Sequence, residues 1–301
     1  MSEAFYTDKD RVRASFERAA TSYDSAAVLQ REVSDRMAER LDYIKLQPAV
    51  ILDAGSGTGY GAAMLRQRYP QARVLELDLA HGMLCASREK QRDGQGMLGR
   101  LFRRPVSWQL CADVERLPLA DNSVDMIWSN LAIQWVNVPD SVFAEFQRVL
   151  KPEGMVMFST LGPDTLTELR AAFGAVDGAT HVNQFIDMHD LGDALMHCGF
   201  SEPVMDMEKI VMTYDSVREV MHDLKAIGAH NATAGRNRGL MGKHTWQRIC
   251  DAYETRRRDG QLPATYEVLY GHAWKAQPKK KPTILADGSQ VIEFSRSPPK
   301  Q

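Results

Sequence analysis

The sequence lacks the features that would place the protein outside the cell or in a membrane. Its four cysteines, Cys85, Cys111, Cys198 and Cys250, are widely separated and form neither a CxxC pair nor a zinc-site spacing. Scattered cysteines are typical of reduced thiols in the cytoplasm. No apolar run approaches the ~18 residues of a membrane span, and the charged N-terminus lacks the apolar segment of a signal peptide. We therefore expect a soluble cytoplasmic protein.

The sequence also has little net charge and few residues that bind metals. Its 37 basic and 39 acidic residues give a formal net charge of −2, so no overall field favours nucleic acid or an anionic membrane. The eight histidines form no HxxxH pair, and we find no other metal motif and no Ser/His/Asp series. We therefore expect no metal cofactor, no nucleic-acid partner and no hydrolytic triad.

Short apolar runs that alternate with helical patterns are what the sequence does contain. Two helices are predicted before the first strand, one with apolar residues at Val12, Phe16, Ala19 and Tyr23. Strands are predicted at "AVILDA", "ARVLELD", "VSWQLCAD", "VDMIWSN" and "GMVMFST". This alternation is typical of an α/β fold in which helices cover both faces of a parallel sheet.

The later part of the chain divides further. The segments "PVMDMEKIVMTY" and "TYEVLYGHAWKA" are predicted to be strands, and the residues between them are predicted to be mostly helical, as in a lid. The predicted divisions are N-terminal helices at 1–48, a core at 49–214, a helical lid insert at 215–263, the last core strand at 264–276 and a flexible tail at 277–301.

The stretch "VILDAGSGTG" predicts a ligand-binding loop. Gly55, Gly57 and Gly59 follow an apolar strand, as in nucleotide-binding loops, although a strand–helix turn without a ligand also fits. A P-loop is excluded because no Lys-Ser or Lys-Thr follows at the required offset. Asp53 would repel a pyrophosphate but would attract an ammonium or a sulfonium, by about 4 kcal/mol at an effective dielectric of about 20. S-adenosylmethionine carries both cations and no phosphate, so we predict this cofactor.

Residues at the ends of the following strands agree with that cofactor. Asp78 ends the second strand about twenty residues after Gly57, where an acid can hold both ribose hydroxyls, although such an Asp is equally often a helix cap. Asp113 and Val114 follow the third strand and suit the amino group and the ring face of adenine. Asn130 ends the fourth strand beside the cleft.

Longer motifs resemble a known family. Residues 50–160 resemble class I S-adenosylmethionine-dependent methyltransferases in "LDAGSGTG", "LELDLAHGML", "ADVERLPL" and "LKPEGMVMFSTLGP". Residues 10–275 are similar to the malonyl-[acyl-carrier-protein] O-methyltransferase family of biotin synthesis, through "SFERAATSYDSAAVLQREV", "SNLAIQWV", "HVNQFID", "LKAIGAHNATAGR" and "GQLPATYEVLYGHA". The chain departs from that family in a longer loop around Gly94 to Arg104, in the tail from Pro278, and at Ser56, where many relatives carry Cys.

The resemblance implies a fold and a reaction. The fold is a Rossmann-like class I methyltransferase with a seven-stranded, mostly parallel sheet, an antiparallel last strand, N-terminal helices over the cofactor and a helical lid insert. The reaction is methylation of the free carboxylate of malonyl-acyl carrier protein by S-adenosylmethionine, which gives the methyl ester that primes pimeloyl synthesis. The carrier protein of this reaction is strongly acidic.

The resemblance and the motifs together give the expected site. The expected cofactor contacts are Tyr23, Gln30, Asp53, Ala54, Gly55, Gly57, Gly59, Asp78, Leu79, Met83, Asp113, Val114 and Asn130. The residues expected to position the substrate are Tyr23, Asn130, Gln134 and Trp135, and no acid or base is expected because a malonyl carboxylate is already ionised. Contacts to the substrate or the carrier protein are expected at Lys225, His230, Arg236 and Arg238.

Alternatives remain at this point. Tyr23 and Trp135 also fit simple core packing, and the lid cations also fit a solvated surface. Arginine runs at 100–104 and 256–258 are other candidate docks for the carrier protein. A small-molecule methyltransferase of the same fold, acting on a quinone precursor, is the alternative function, and "LKAIGAHN" counts against it. A mitochondrial assembly factor is disfavoured because the N-terminus does not resemble a transit peptide.

Overall fold

Seven strands form the central sheet of the computed structural model. The structure describes residues 6–94, 108–176, 181–229, 231–233, 241–277, 283–284 and 290–291. The strands are β1 (Val50–Ala54), β2 (Arg73–Asp78), β3 (Trp108–Cys111), β4 (Val124–Asn130), β5 (Leu150–Leu161), β6 (Phe200–Tyr214) and β7 (Leu262–Lys275). Their order is β3-β2-β1-β4-β5-β7-β6, with β1 to β5 parallel and β7 antiparallel to both neighbours. The predicted sheet, with its antiparallel last strand, is confirmed.

Helices cover both faces of this sheet. In the described residues they are α1 (Lys9–Ala19), α2 (Tyr23–Ala26), α3 (Val28–Arg40), α4 (Tyr60–Arg68), α5 (His81–Gly94), α6 (Pro139–Val149), α7 (Thr167–Gly174), α8 (Met188–His197), α9 (Val217–Ala226) and α10 (Lys243–Glu254). Short 3₁₀ turns follow α3 and β4, at Leu41–Tyr43 and Ile133–Trp135. A separate pair of two-residue strands, β8 (Thr283–Ile284) and β9 (Gln290–Val291), lies in the tail. No helix among the described residues has the length and apolarity to cross a bilayer.

The boundaries differ from the predicted ones in two places. The apolar spacing that joins Ala19 to Tyr23 predicts one helix, but α1 ends at Ala19 and Tyr23 begins α2. The turn between them is closed by the Ser22 amide, which donates to the Ala19 carbonyl at 2.9 Å. At the end of the insert, β7 begins at Leu262, two residues before the predicted start of the last core strand at 264.

The core consists of one hydrophobic layer on each face of the sheet. Along β4, Met126 and Trp128 belong to one layer, which also includes residues of α3 and α4. Ile127 belongs to the opposite layer, together with residues of α6 and α8. Burial on both faces explains why the parallel strands are nearly continuous apolar runs.

The strand order determines where a ligand can bind. Because β1 lies between β2 and β4, the connections after β1 and after β4 leave the sheet in opposite directions and open a crevice at the carboxyl ends of the strands. The N-terminal helices lie over this crevice. Glu17 of α1 accepts hydrogen bonds from the backbone amides of His81 and Gly82 at 2.7 and 2.8 Å, at the start of α5.

Candidate active site

Three neighbouring spaces, which share lining residues, lie at the carboxyl ends of the strands. The large cavity has a volume of about 400 Å³ and lies between the N-terminal helices, α7 and α9. A space of about 90 Å³ surrounds Asp78 and is called the Asp78 chamber, and one of about 50 Å³ beside Asp53 is called the Asp53 chamber. Tyr23 lines all three spaces. The break between α1 and α2, which the apolar spacing did not predict, therefore puts Tyr23 at their junction.

The Asp78 chamber collects the predicted residues from the ends of β2, β3 and β4. Its lining includes Asp78, Leu79, Met83, Asp113, Val114 and Asn130. Asp78 Oδ2 accepts a hydrogen bond from the Gly57 amide at 2.9 Å, and Oδ1 accepts one from the Ala80 amide at 2.8 Å. Burial raises the pKa of Asp78 to about 6 despite these hydrogen bonds, and the charge of Glu17 adds to the shift.

Asp113 is held by a lysine that the sequence did not single out. Lys9, just inside α1, donates to Asp113 Oδ2 at 2.5 Å and also forms an ion pair with Glu115. The Glu115 amide donates to Asp113 Oδ1 at 3.0 Å. Since Lys9 and Asp113 both line the Asp78 chamber, the start of α1 closes that chamber by charge as well as by packing.

The Asp53 chamber contains buried polar atoms that have no hydrogen-bond partner in the described residues. Asp53 is 2% exposed, and neither its Oδ2 nor Gln30 Oε1 accepts a hydrogen bond. Burial, and then the charge of Glu76, raises the pKa of Asp53 well above its ordinary range. Unpaired buried acceptors are rare in folded proteins and require an explanation. An ammonium group would supply the missing donors, so the chamber fits the methionine end of S-adenosylmethionine.

The three loop glycines divide into two roles. Gly55 and Gly57 line both chambers, and a Cβ on Gly57 would lie 4.0 Å from Tyr23 Cε1, which is an ordinary contact. Gly59 lies outside the three spaces, where a Cβ would stand 2.2 Å from Ser87 Oγ, so close packing with α5 requires a glycine there. Ala54 also lies outside them; it is fully buried in β1, and its carbonyl accepts from Ser129 Oγ at 2.8 Å.

Hydrogen bonds orient Asn130 between the chambers. Its Nδ2 donates to the Gln30 carbonyl at 2.9 Å, and its Oδ1 accepts from Ser159 Oγ at 2.8 Å. These bonds join β4, β5 and α3 around one side chain. Asn130 therefore also fixes α3, which carries Gln30, against the sheet.

The large cavity is mostly apolar, with few polar groups in its wall. Trp135 separates it from the Asp78 chamber and packs edge-on against Phe16, with ring centroids 5.5 Å apart. Gln134 donates to the Leu131 carbonyl at 2.6 Å. Lys225 of α9 lines the cavity, and its ammonium group has no partner among the described residues. The other polar residues of the wall are Tyr23, Gln30, His181, Asn183, Asn231 and Tyr266.

Several predicted site residues lie outside the described part of the chain, and several residues that line the large cavity were not predicted. His230, Arg236, Arg238 and the arginines at 100–104 lie outside the described residues. The segment 181–185 was not predicted to belong to the site, but it lines the large cavity through His181, Val182, Asn183 and Phe185. The motif "HVNQFID" contained these four residues, so the signal was present, but the residue types alone did not indicate their role. Among the described residues, no group of three or more potential metal ligands is found.

Comparisons with known proteins agree with this geometry at the level of class. A family model described as a methyltransferase domain matches residues 52–158. The crystal structure of the YcgJ protein from Bacillus subtilis aligns with a TM-score of 0.55 over 80% of this chain and 98% of that one, at 12% identity. That likeness concerns the fold. The glycine loop, the strand order and the family model together define a Rossmann-like methyltransferase.

Sequence relatives identify the family within that class. A protein of Laribacter hongkongensis named malonyl-[acyl-carrier protein] O-methyltransferase is 67% identical over 98% of both chains. A protein of the same name from Gallionella capsiferriformans is 58% identical, over 97% of this chain and 98% of that one. The chain belongs to the malonyl-[acyl-carrier protein] O-methyltransferase family. Membership confirms the predicted class of enzyme and supports S-adenosylmethionine as its methyl donor.

The same comparison corrects one expectation from the sequence. The tail from Pro278 was expected to have no counterpart in the family. The match to the Laribacter relative covers 98% of this chain, which includes most of that tail. The tail is therefore shared with at least one member of the family.

Proposed function

We propose that this protein transfers the methyl group of S-adenosylmethionine to the free carboxylate of a malonyl group carried on acyl carrier protein. The observation that carries the proposal is the junction at Tyr23. There, two chambers lined by the residues predicted to bind the cofactor adjoin a large cavity, and the wall of that cavity includes Lys225, a cation without a partner among the described residues. The product would be the malonyl methyl ester used for biotin synthesis. We assign the reaction to the cytoplasm, since all four cysteines are free thiols.

The cofactor would be held by residues of the two chambers. Asp78 presents a carboxylate already oriented by two backbone amides, and its remaining lone pairs suit the ribose hydroxyls. Asp53 and Gln30 offer unpaired oxygens to the ammonium group. When bound, the cofactor supplies an electrophilic methyl carbon. Tyr23, which borders both chambers and the large cavity, would help to align the two ligands.

The large cavity would hold the malonyl group without help from a base. A malonyl carboxylate is ionised near neutral pH and is already a nucleophile, so no side chain has to remove a proton. Lys225 supplies a counter-charge, while Gln134 and Asn183 supply amide groups for orientation. The apolar wall, including Leu169 and Phe173, removes water from the carboxylate oxygen. Orientation and desolvation are therefore the main contributions of this site.

The proposal is tested by methyl transfer to defined acyl groups. Labelled S-adenosylmethionine is incubated with malonyl- or acetyl-acyl carrier protein, and the label is expected only on the malonyl form, in a base-labile ester. Label on both forms, or on neither, would refute the proposal. Lys225→Met should raise the KM for the malonyl substrate about tenfold, as expected for the loss of one charge-assisted contact. Lys45→Met, which changes an exposed lysine just before β1 at the opposite end of the sheet, is the matched control.

A further inference from the structure

Charge is divided between two flanks of α9, the helix that covers the large cavity. Arg218, His222 and Lys225 are all exposed. With 3.6 residues per turn, these three side chains fall within an arc of about 60° of the helix circumference. Glu219 and Asp223 lie roughly 110° further round the helix. The helix therefore has one basic flank, defined as Arg218, His222 and Lys225, and one acidic flank.

The acids of α9 have partners within the protein, whereas its basic side chains have none among the described residues. Glu219 accepts a hydrogen bond from the Asp215 amide at 2.9 Å, at the start of the helix. Asp223 is hydrogen-bonded to the side chain of Tyr214. In the described part of the chain, the side chains of the basic flank have neither an ion pair nor a hydrogen bond. No described side chain therefore neutralises the basic flank, and the two acids of the same helix are bonded elsewhere.

The position of the basic flank links it to the large cavity. Met221, Leu224 and Lys225, all on α9, line that cavity. Lys225 belongs both to the cavity wall and to the basic flank, so the flank begins at the wall of the cavity and continues outward along the helix to Arg218. A partner on this flank would stand next to the space that its own substrate arm has to enter.

We propose that the basic flank of α9 is the docking surface for the acidic face of acyl carrier protein. This inference rests on the proposed function, which makes a carrier protein the substrate. Because the whole chain has a net charge of −2, its overall field does not attract an acidic partner, and a local basic surface has to do so. On this surface, Arg218 and His222 contact the carrier protein, while Lys225 meets the acyl group inside the cavity.

The test separates docking from catalysis by using two substrates. Arg218→Glu/His222→Glu should raise the KM for malonyl-acyl carrier protein at least tenfold at low salt and leave kcat unchanged. The difference from wild type should shrink above about 0.1 M salt, where exposed charges are screened over roughly 10 Å. Activity on malonyl-coenzyme A, which has the arm without the protein, should stay within about twofold of wild type. Lys45→Glu, at the opposite end of the sheet, is the control for the change in charge.

Each other outcome overturns the inference in a distinct way. An unchanged KM for the carrier-protein substrate would show that the flank is not the dock. Equal losses on both substrates, repeated in the milder Arg218→Gln/His222→Gln variant, would assign these residues to the fold or to the arm. Failure of the proposed function itself would look different, because the wild-type protein would then methylate neither malonyl substrate.

Discussion

Asp53 and Glu76 are buried carboxylates that lie side by side, yet their surroundings are opposite. They are register partners on the parallel strands β1 and β2, and both side chains are almost completely inaccessible to solvent. Glu76 accepts hydrogen bonds from Ser87 at 2.6 Å, Gln91 at 2.7 Å and Gln109 at 2.8 Å, and forms an ion pair with Arg66. Asp53 has one oxygen with no partner in the described residues.

The pKa values of the two acids shift in opposite directions for this reason. Burial raises the pKa of Glu76, but its hydrogen bonds outweigh burial and bring the value below its ordinary range. The pKa of Asp53 is raised well above its ordinary range by burial and by the neighbouring charge of Glu76. The hydrogen bonds of Glu76 stabilise the fold, whereas we propose that Asp53 has an oxygen without a partner because it serves a ligand. Perturbed acids of the second kind are common at functional sites.

Removing Glu76 should have the largest effect on stability. Glu76→Ala removes the buried partner of Arg66 and one acceptor from each of three other donors, so we expect a loss of about 3–5 kcal/mol in the free energy of unfolding. Urea unfolding measures this loss. Asp42→Ala, which removes the 64%-exposed partner of Arg68, is the control and should cost less than about 1 kcal/mol. Similar losses in the two variants would mean that the Glu76 cluster does not hold the fold together.

Gly59 and Gly57 differ in the same way as Glu76 and Asp53: Gly59 is needed for packing, whereas Gly57 lines the chambers. Gly59→Ala should lower the free energy of unfolding by about 2–3 kcal/mol, because φ is +83° and the new Cβ would displace Ser87, a donor to Glu76. The Cβ of Gly57→Ala would make an ordinary contact with Tyr23 at 4.0 Å, so this variant, at φ +53°, should cost about 1 kcal/mol. Cofactor affinity, measured by calorimetry, should fall mainly in the Gly57 variant. The reverse order of affinities would move Gly59 into the cofactor site.

Asp78 should give opposite pH trends for binding and for stability. Its folded pKa of about 6 lies above the ordinary 3.8, so the folded chain binds the proton first as the pH falls. Stability without cofactor should therefore rise as the pH falls from about 6 to about 4. Cofactor affinity should fall in the same window, because a protonated carboxyl accepts less well from the ribose hydroxyls.

The variants of Asp78 provide the control for these trends. In Asp78→Asn, the contribution of this carboxyl to the pH dependence of stability and of cofactor affinity should be absent. Asp78→Ala should weaken cofactor binding by about 1–3 kcal/mol at pH 7. Calorimetry and urea unfolding at matched pH values measure both quantities. If wild type and Asp78→Asn have parallel pH profiles for affinity, another group is responsible.

Of the two buried acids, the position of Asp53 was predictable from the sequence, whereas the surroundings of Glu76 were not. Strand periodicity and the glycine loop place Asp53 at the end of β1, and the sheet they predict is the one observed. The cluster around Glu76 was not predictable, because its donors Ser87, Gln91 and Gln109 come from α5 and β3 and meet only in the folded chain. The segment of His181 was recognised as a motif, but only the fold shows that it faces the cavity.

Of the four predicted changes in stability, the one for Asp53→Asn is the smallest. It also tests directly whether Asp53 binds the cofactor. Asp53→Asn removes a buried charge whose ionisation costs stability, so the protein without cofactor should become more stable at pH 7, by about 1 kcal/mol. The sign follows from the raised pKa: wild type recovers this stability by taking up a proton as the pH falls, so the gain should disappear on acidification. The same variant should bind the cofactor less tightly, because an amide offers no charge to the ammonium group. A gain in stability with a loss of affinity is the pattern of a group kept for a ligand, and calorimetry beside urea unfolding measures both parts. If Asp53→Asn instead destabilises the protein and leaves affinity unchanged, Asp53 belongs with Glu76 as a residue of the fold.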